Sequence, residues 1–385
     1  MSLKVLMMGG RRCGKTSALA SMFDQMTNGE TKKYLTVNNS TILEEKIDSQ
    51  TGKLEKQDSL INKKLDLEYF ITNRKNRNRT FLVDSGPTMF YWDYKMKVKI
   101  PGTRKETEIE FRDSNGEYFE AGGKHHQETV DYIKDCDVFV VVVDVPYLME
   151  GSNAENMAAN VVDSIHTFLT EIDNDNGRKA KQVIFVPIKC EKWIREGKVD
   201  ELVSKVERTY DATIQHLKAT GKTEISIIPI QTAGDIVFSE LRDPYIVVNT
   251  LLIDQERKCS KISDRLVVLG NGENYKLLDN EVVNEDYKAV FPGTSIPKPY
   301  CWYHLPTDKD AEYRPHNCEQ LSLHIIRFMF NKLKSEAKDG FFARWMQRWF
   351  GSISKEDMQN ALDGISRENL IKDNEEGIKI IKKCF

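Results

Sequence analysis

The sequence lacks long apolar runs, paired cysteine motifs and a strong excess of either charge. Its longest uninterrupted apolar run, residues 138–143, is far shorter than the roughly 20 residues that cross a bilayer as a helix. The seven cysteines form no C-x-x-C pair, which is typical of reduced thiols in a cytosol. A formal net charge of −3 gives no electrostatic reason to expect nucleic acid as a ligand. The N-terminal residues also lack the layout of a signal peptide, so we expect a cytoplasmic protein that binds no nucleic acid.

The composition that is present, with 40% hydrophobic and 30% charged residues, is that of a globular protein. Its 385 residues allow two or three domains, or one domain enlarged by insertions. Apolar strand patterns alternate with amphipathic helix patterns, which predicts an α/β protein with a mostly parallel sheet between helices and with ligands at the carboxyl ends of the strands. The predicted strands cover residues 137–145, 183–188 and 225–230, and the predicted helices cover residues 155–172 and 199–217.

The first seventeen residues carry the most specific motif. A short apolar run at residues 5–8 predicts a buried strand, and the small and apolar residues from Ser17 onward predict a helix. Between them the chain matches the phosphate-loop pattern G-x-x-x-x-G-K-[ST], in which backbone N–H groups and a helix N-terminus surround phosphate oxygens. We therefore predict a nucleotide site, with Lys15 reaching the β- and γ-phosphates and Thr16 holding Mg²⁺. The loop consists of Gly9, Gly10, Arg11, Arg12, Cys13, Gly14, Lys15 and Thr16.

An acidic motif follows a predicted β-hairpin. Residues 89–100 alternate in strand fashion, Pro101-Gly102 marks a turn, and residues 107–111 form the returning strand. That strand leads into Asp113-Ser114-Asn115-Gly116, where Asp113 is predicted to position Mg²⁺ and Gly116 to offer its N–H to a γ-phosphate. The D-x-x-G pattern also describes an ordinary turn, and Asp84-Ser85-Gly86 after another apolar run is the competing candidate.

These motifs together resemble the Ras-like (TRAFAC-class) P-loop GTPase domain over roughly residues 1–235. Among relatives the chain looks closest to poorly characterised bacterial GTPase-like proteins with long insertions. The resemblance implies a three-layer P-loop NTPase fold that binds GTP or GDP with Mg²⁺ and hydrolyses GTP slowly to switch state. Besides the phosphate loop, four motifs follow in the family's order. Thr88 stands as the switch I threonine and Asp113 to Gly116 as switch II. Ile188-Lys189-Cys190-Glu191 lies where the family has N/T-K-x-D, and Thr232-Ala233-Gly234 lies where it has S-A-K.

Departures from the family pattern concern the base and the rate of hydrolysis. Glu191 replaces the base-reading Asp; its carboxylate can accept from guanine N1–H and the exocyclic amine, while adenine N1 presents a second acceptor. This favours GTP over ATP. Glu117 stands where the family often has a water-orienting Gln, and Arg11 occupies a position that is usually small, so fast unaided hydrolysis is not expected. Arg11 and Arg12 either supply charge to the transition state in cis or point outward as solvated cations.

Two alternatives to a GTPase remain open at this point. One is an ATP-binding P-loop module of a larger machine, and the other is a degenerate scaffold that binds nucleotide without turnover. The candidate catalytic residues are Lys15, Arg11, Arg12 and Glu117, and the candidate metal ligands are Thr16, Thr88 and Asp113. A protein partner or effector is expected, but the sequence does not identify it.

The rest of the chain predicts additions to this domain. We expect a charged helical insertion at about residues 28–80, a β-rich insertion at 236–315, the last helix of the domain at 316–337, and a helical C-terminal tail at 338–385. Residues 341–350 carry an aromatic stripe that is expected to pack on its own domain; docking to a partner or a membrane is the alternative. Cys301, His304, His316 and Cys318 are expected to be satisfied polar side chains, with a zinc site as the alternative.

Overall fold

A computed structural model of the chain describes residues 2–28, 33–39, 46–47, 54–55, 60–72, 92–101, 106–114, 126–171, 180–219, 222–242, 246–254, 259–269, 275–277, 287–289, 300–307, 310–336, 355–367 and 370–384. It divides into two compact units, the first made of Met1–Phe238 and His304–Phe385 and the second of Ser239–Tyr303.

In the first unit, single strands or short runs of strands alternate with single helices or runs of helices. The bounds of the described elements of both units follow. The strands are β1 (Ser2–Met8), β2 (Thr36–Asn39), β3 (Lys46–Ile47), β4 (Leu54–Glu55), β5 (Trp92–Lys99), β6 (Glu106–Asp113), β7 (Val138–Asp144), β8 (Lys181–Ile188), β9 (Thr223–Ile227), β10 (Val237–Arg242), β11 (Ile246–Asp254), β12 (Cys259–Leu269), β13 (Tyr275–Leu277), β14 (Tyr287–Ala289), β15 (Tyr300–His304) and β16 (Lys379–Lys382). The helices are α1 (Lys15–Asn28), α2 (Leu60–Thr72), α3 (His126–Asp135), α4 (Val145–Glu150), α5 (Asn153–Ala159), α6 (Val162–Glu171), α7 (Glu191–Arg195), α8 (Val199–Thr209), α9 (Asp211–Ala219), α10 (Cys318–Glu336) and α11 (Lys355–Arg367).

The first unit is built on an eight-stranded mixed sheet in the order β16-β9-β8-β7-β1-β6-β5-β2. The central pairs from β6 to β9 are parallel, and the edge pairs β5–β6, β2–β5 and β9–β16 are antiparallel. Every residue of β7 is buried, because a central parallel strand is covered on both faces. The predicted α/β class with a mostly parallel sheet is confirmed, and the arrangement is compatible with three layers.

The register of the central strands brings their carboxyl ends to one edge of the sheet. Met7 of β1 lies beside Asp113 of β6, and Asp144 of β7 lies beside Ile188 of β8. The loop after β1 therefore emerges between two acidic residues, one at the end of each neighbouring strand. In open α/β sheets this edge is where ligands bind.

Two predicted helices are interrupted in the structure. The helix predicted at residues 155–172 breaks at Asn160 and Val161, and Val161 has φ 44°, a costly conformation for a β-branched residue. The break is stabilised by tertiary contacts, since the Asn160 side chain accepts from the backbone N–H of Asp144 and donates to its carbonyl oxygen. The pattern at 199–217 forms two helices separated by the buried Tyr210, whose hydroxyl donates to the Asn160 carbonyl at 3.3 Å.

The described residues of the charged insertion and of the C-terminal tail include strands as well as helices. The described part of the insertion contains α2, as expected, but also β2, which extends the main sheet through β5. The described part of the tail contains α11, a helix as expected, and then β16, a strand that pairs with β9 and that was not predicted. A four-residue edge strand gives too short an alternation to be read from sequence. The aromatic stripe at residues 341–350 lies outside the described residues.

The second unit consists of β-strands in its described part. β11 to β14 form an antiparallel sheet in the order β13-β12-β11-β14, and β10 pairs with β15. In neither unit does a described helix combine the length and the apolar character that crossing a bilayer requires.

Candidate functional site

The loop between β1 and α1 has a conformation that depends on glycine. Gly9, Arg12 and Gly14 have positive φ angles of 145°, 59° and 105°. A Cβ atom on Gly9 would lie 2.7 Å from the Val142 carbonyl oxygen, and one on Gly10 would lie 1.9 Å from the Ala159 carbonyl oxygen. At Gly9 and Gly10 the loop is therefore packed directly on backbone at the carboxyl edge of the sheet, and these two positions have no room for a larger residue.

Lys15 places a buried cation at the inner side of this loop. Its side chain is 6% exposed, and its ammonium donates to the carbonyl oxygens of Gly9 at 3.1 Å and Gly10 at 3.0 Å. No described carboxylate forms an ion pair with it. Its third described partner, the Cys13 Sγ at 3.9 Å, is the sulfur of a thiol. A buried cation whose described partners are carbonyl groups and a thiol remains able to bind an anion, because desolvation is costly without an opposite charge.

Thr16 and Asp113 meet at the start of α1. The Thr16 hydroxyl donates to Asp113 Oδ2 at 2.5 Å, and Asp113 is fully buried. Burial raises the pKa of the Asp113 carboxyl above its usual value, and the charge of Lys15 and the Thr16 hydroxyl oppose this rise. Asp113 Oδ1 is buried and has no hydrogen-bond partner among the described residues. A hydroxyl beside a carboxylate with one unused oxygen is an oxygen-rich donor set of the kind that Mg²⁺ binds.

On the other side of the loop, Lys189 connects the end of β8 to the loop. Its ammonium lies 2.6 Å from Asp144 Oδ2 and 3.4 Å from the Arg12 carbonyl oxygen. Asp144 is itself held by Asn160, which accepts from the Asp144 N–H at 2.6 Å and donates to its carbonyl at 3.3 Å. Lys189 adopts φ 57°, a left-handed conformation that this set of contacts maintains.

Glu191 is an enclosed carboxyl group at the start of α7. Only 2% of it is exposed, and burial raises its pKa to about 7. Its own backbone N–H, the charges of Arg195 and Lys189, and the N–H of Ala233 stabilise the carboxylate and oppose this rise. Glu191 therefore faces the loop formed by residues 231–235, which follows the strand β9.

That loop is held by contacts from several elements. Arg195 donates to the Gly234 carbonyl at 2.9 Å and to Asp235 Oδ1 at 2.7 Å. The second oxygen of Asp235 accepts from the backbone N–H of Glu312 at 2.9 Å. From α1, the Ser21 hydroxyl donates to the Thr232 carbonyl at 2.6 Å. The helix that begins in the phosphate loop therefore also supports the loop that faces Glu191.

The structure thus brings most of the predicted site residues to one edge of the sheet. Residues 9–17 adjoin Asp113 on one side and Lys189 on the other, and Glu191 lies against Thr232 and Ala233. Arg11 is exposed and Arg12 half-buried. Thr88, Gly116, Glu117 and the competing Asp84 lie outside the described residues, so their predicted roles are untested.

The four candidate zinc ligands form no metal cluster in the described part of the chain. Cys318 donates to the Gln231 carbonyl at 3.2 Å, and His316 pairs with Glu376 at 2.9 Å. Both side chains have protein partners, as expected of satisfied polar groups.

Sequence reasoning missed the residues that support the predicted ones. Asp144 pairs with Lys189 and is held by Asn160, and Arg195 pairs with Asp235 in the loop that faces Glu191; each of these contacts joins residues that are distant in the chain. The available signals were weak: Asp144 ends an apolar strand, and Asp235 directly follows the Thr232-Ala233-Gly234 run.

Comparison of the sequence with protein-family models and with curated proteins finds no match. The geometry of the phosphate loop, Asp113, Lys189, Glu191 and residues 231–235 is therefore the basis for assigning a function.

Proposed function

We propose that the chain is a nucleotide-binding protein of the Ras-like P-loop kind, which binds GTP or GDP with Mg²⁺ and hydrolyses GTP slowly. The observation that carries the proposal is the contact of Thr16 with a buried Asp113 beside a buried, carbonyl-bound Lys15. A phosphate-binding lysine, a metal-binding hydroxyl and an acid on the neighbouring strand are the recurring parts of P-loop phosphate chemistry.

The order of the strands supports this assignment. β6, which ends in Asp113, pairs directly with β1, which leads into the loop, and both strands run in the same direction. An acid at the end of a strand beside the phosphate loop commonly positions Mg²⁺ in such proteins. Asp113 fulfils that condition by its register beside Met7.

The donors at this place fit Mg²⁺. Thr16 and Asp113 would hold the ion. Asp113 Oδ1 would be a ligand atom, because it has no hydrogen-bond partner among the described residues. A bound divalent cation neutralises charge on the β- and γ-phosphates. The chain's own part would be to place Lys15 and the loop N–H groups around those phosphates, in a loop fixed by the tight packing of Gly9 and Gly10 on neighbouring backbone.

The base would lie between Lys189 and residues 231–235. Lys189 is fixed by Asp144, so its aliphatic stem would lie along one side of the base. Glu191 would provide the acceptor, held in place by the Ala233 N–H. An ionised Glu191 matches the two donors on the guanine edge. A pKa of about 7 for Glu191 is a specific reason to keep ATP as the second candidate, because the protonated acid matches adenine.

Slow hydrolysis follows from the residues near the phosphates. Arg11 lies in the loop beside the phosphate position, and the family's water-orienting Gln is replaced by Glu117 in the sequence. An arginine in the loop either stabilises the transferring group or obstructs the attacking water. We expect slow turnover without a partner because the water-orienting Gln is replaced, and an obstructing Arg11 would slow it further.

The experiment is calorimetric titration of GTP into the wild type and Lys15→Ala, with and without Mg²⁺. Lys15→Ala should lose several kcal/mol of affinity, since it removes a charge-assisted contact in a dehydrated site. Lys218→Ala, which removes an exposed lysine on α9, is the matched control and should bind as the wild type does. Equal GTP affinity in Lys15→Ala and the wild type would refute the proposal.

A further inference from the structure

Glu191 is surrounded by a small set of groups that determine its charge. Arg195 lies one helical turn away on α7, at the i+4 position that shares its face. Lys189 faces it from the end of β8, and the Ala233 N–H faces it from the loop after β9. The buried thiols of Cys190 and Cys318, the second from α10, also lie near it, and Asp235 pairs with Arg195 in the facing loop.

Arg195 also holds the loop of residues 231–235, which faces Glu191. Its guanidinium donates to the Gly234 carbonyl and to Asp235 Oδ1, and Asp235 is only 3% exposed. Asp235 in turn receives the Glu312 N–H. One side chain therefore fixes the loop that carries Ala233 and places a positive charge near Glu191.

The charge of Glu191 decides which base edge it matches. An ionised carboxylate has acceptors only, whereas a carboxylic acid has one donor and one acceptor. The Watson–Crick edge of guanine offers two neighbouring donors, N1–H and the exocyclic amine. Adenine offers an acceptor at N1 beside a donor at its amine, so the two protonation states of Glu191 complement different bases.

We propose that Arg195 is a positioning residue that sets base preference, by holding the loop of residues 231–235 and by favouring the carboxylate form of Glu191 over the acid, which shifts the preference of the site from adenine toward guanine nucleotides. The inference rests on the proposed nucleotide-binding function and deepens it. Arg195 acts through Glu191 and Ala233, without contact to the phosphates.

The electrostatics agree with this geometry. Burial raises the pKa of Glu191 to about 7, and Arg195 is the first among the charged side chains that hold it down, ahead of Lys189. Removing the guanidinium therefore moves the pKa of Glu191 further upward and leaves the acid protonated at neutral pH. Raising the pH reverses this change, which a purely structural role of Arg195 does not predict.

The test is the ratio of GTP to ATP affinity, measured from about pH 6 to about pH 8.5 in the wild type and three variants. Titration of the triphosphate itself cancels in the ratio, because both nucleotides carry the same group. The wild-type preference for GTP should rise with pH through about 7. Arg195→Gln should lower the ratio about tenfold at neutral pH and recover toward higher pH, as expected for a shift of about one pK unit.

Two further variants complete the test. Arg195→Lys keeps the charge and should retain most of the wild-type ratio near neutral pH. Glu191→Gln cannot ionise, so its ratio should be low and independent of pH. If Arg195→Gln does not fold, the pH dependence of the wild-type ratio and its absence in Glu191→Gln still test whether the charge of Glu191 sets base preference, and the ratio in Arg195→Lys tests the part of Arg195.

A ratio that does not change with pH in the wild type overturns the inference, and so does a loss in Arg195→Gln that higher pH does not reverse. Failure of the underlying function looks different. In that case neither nucleotide binds the wild type at any pH, and Lys15→Ala changes nothing, whereas failure of the inference alone leaves Lys15-dependent binding with a constant ratio.

Discussion

The two ends of the candidate site are built in different ways. The end that we propose to bind phosphate, called the phosphate end, consists of one contiguous stretch, residues 9–17, completed by Asp113 from the adjacent strand. The end that we propose to bind the base, called the base end, is held by ion pairs between distant residues, Lys189 with Asp144 and Arg195 with Asp235. A contiguous loop that is packed on backbone tolerates few substitutions. At an end built from ion pairs, substitution of one paired side chain can change which ligand is preferred.

This contrast predicts that the phosphate end responds to steric changes and the base end to changes of charge. Substitutions in the loop should damage stability and binding of every nucleotide alike. Substitutions among Asp144, Lys189, Glu191 and Arg195 should alter ion pairing, pH dependence or base preference.

The largest effect is expected for Gly10→Ala at the phosphate end. The new Cβ would lie 1.9 Å from the Ala159 carbonyl oxygen, so the α5–α6 junction must move. We expect the free energy of unfolding, measured by urea denaturation, to fall by about 3–4 kcal/mol.

The matched control for this substitution is Gly197→Ala. Gly197 has φ 69°, and nothing lies within 4 Å of the position that its new methyl group would take, so this variant carries only the strain of the left-handed backbone. Its loss of unfolding free energy should be about 1 kcal/mol. Equal losses in the two variants contradict the tight packing of the phosphate loop.

The next effect concerns the ion pair between Asp144 and Lys189. The Asp144 side chain is 5% exposed, and removing one partner of a buried pair leaves the other charge uncompensated. Asp144→Ala should therefore cost about 3 kcal/mol of unfolding free energy. Combining it with Lys189→Met should cost less than the sum of the two single changes.

The control for the pair is Glu207→Ala, which breaks an exposed pair with Lys379 and should cost less than about 1 kcal/mol. Strict additivity of Asp144→Ala and Lys189→Met would show that the two side chains are not coupled.

Sequence reasoning was most informative where the structure is local. The valine-rich strand β7 predicted a buried central strand, and the phosphate-loop pattern predicted the turn between β1 and α1. It also placed Asp113 at the end of the hairpin strand, beside the loop. Each of these features depends on residues that are adjacent or on one strand pair.

The features that sequence reasoning missed all depend on distant contacts. Asn160 interrupts a good helical pattern because its side chain binds Asp144 and its neighbour packs on Gly10. Arg195 and Asp235 are ordinary surface-type residues until the fold brings them together. β16 is a strand because β9 presents an edge to it, and its own four residues carry little strand signal.

A smaller effect is expected for Glu191→Gln, which should increase the free energy of unfolding rather than lower it. The folded-state pKa of Glu191, about 7, lies above its ordinary value of 4.5, so the unfolded chain loses this proton first as pH rises. Stability that is present below about pH 4.5 is therefore lost as pH increases through about 7. Glu191→Gln removes this loss and should stabilise the ligand-free protein by about 2–3 kcal/mol at pH 8, with little change below pH 4.5.

Thermal unfolding of the wild type and Glu191→Gln at several pH values checks this prediction. Glu201→Gln, at an exposed position on α8, is the control and should show no comparable gain. A constant difference between Glu191→Gln and the wild type across pH contradicts the raised pKa of Glu191.

We proposed that one end of the site binds phosphate and that the other selects the base. The most direct test is to measure the affinities of GTP and ATP for the wild type, Lys15→Ala and Glu191→Ala at a pH above 7. We predict that the wild type prefers GTP and that Lys15→Ala weakens both nucleotides alike. Glu191→Ala should weaken GTP by about 2–3 kcal/mol more than ATP, because guanine donors lose their acceptor. A wild-type preference for ATP, or equal losses of GTP and ATP in Glu191→Ala, would contradict the assignment of the base end.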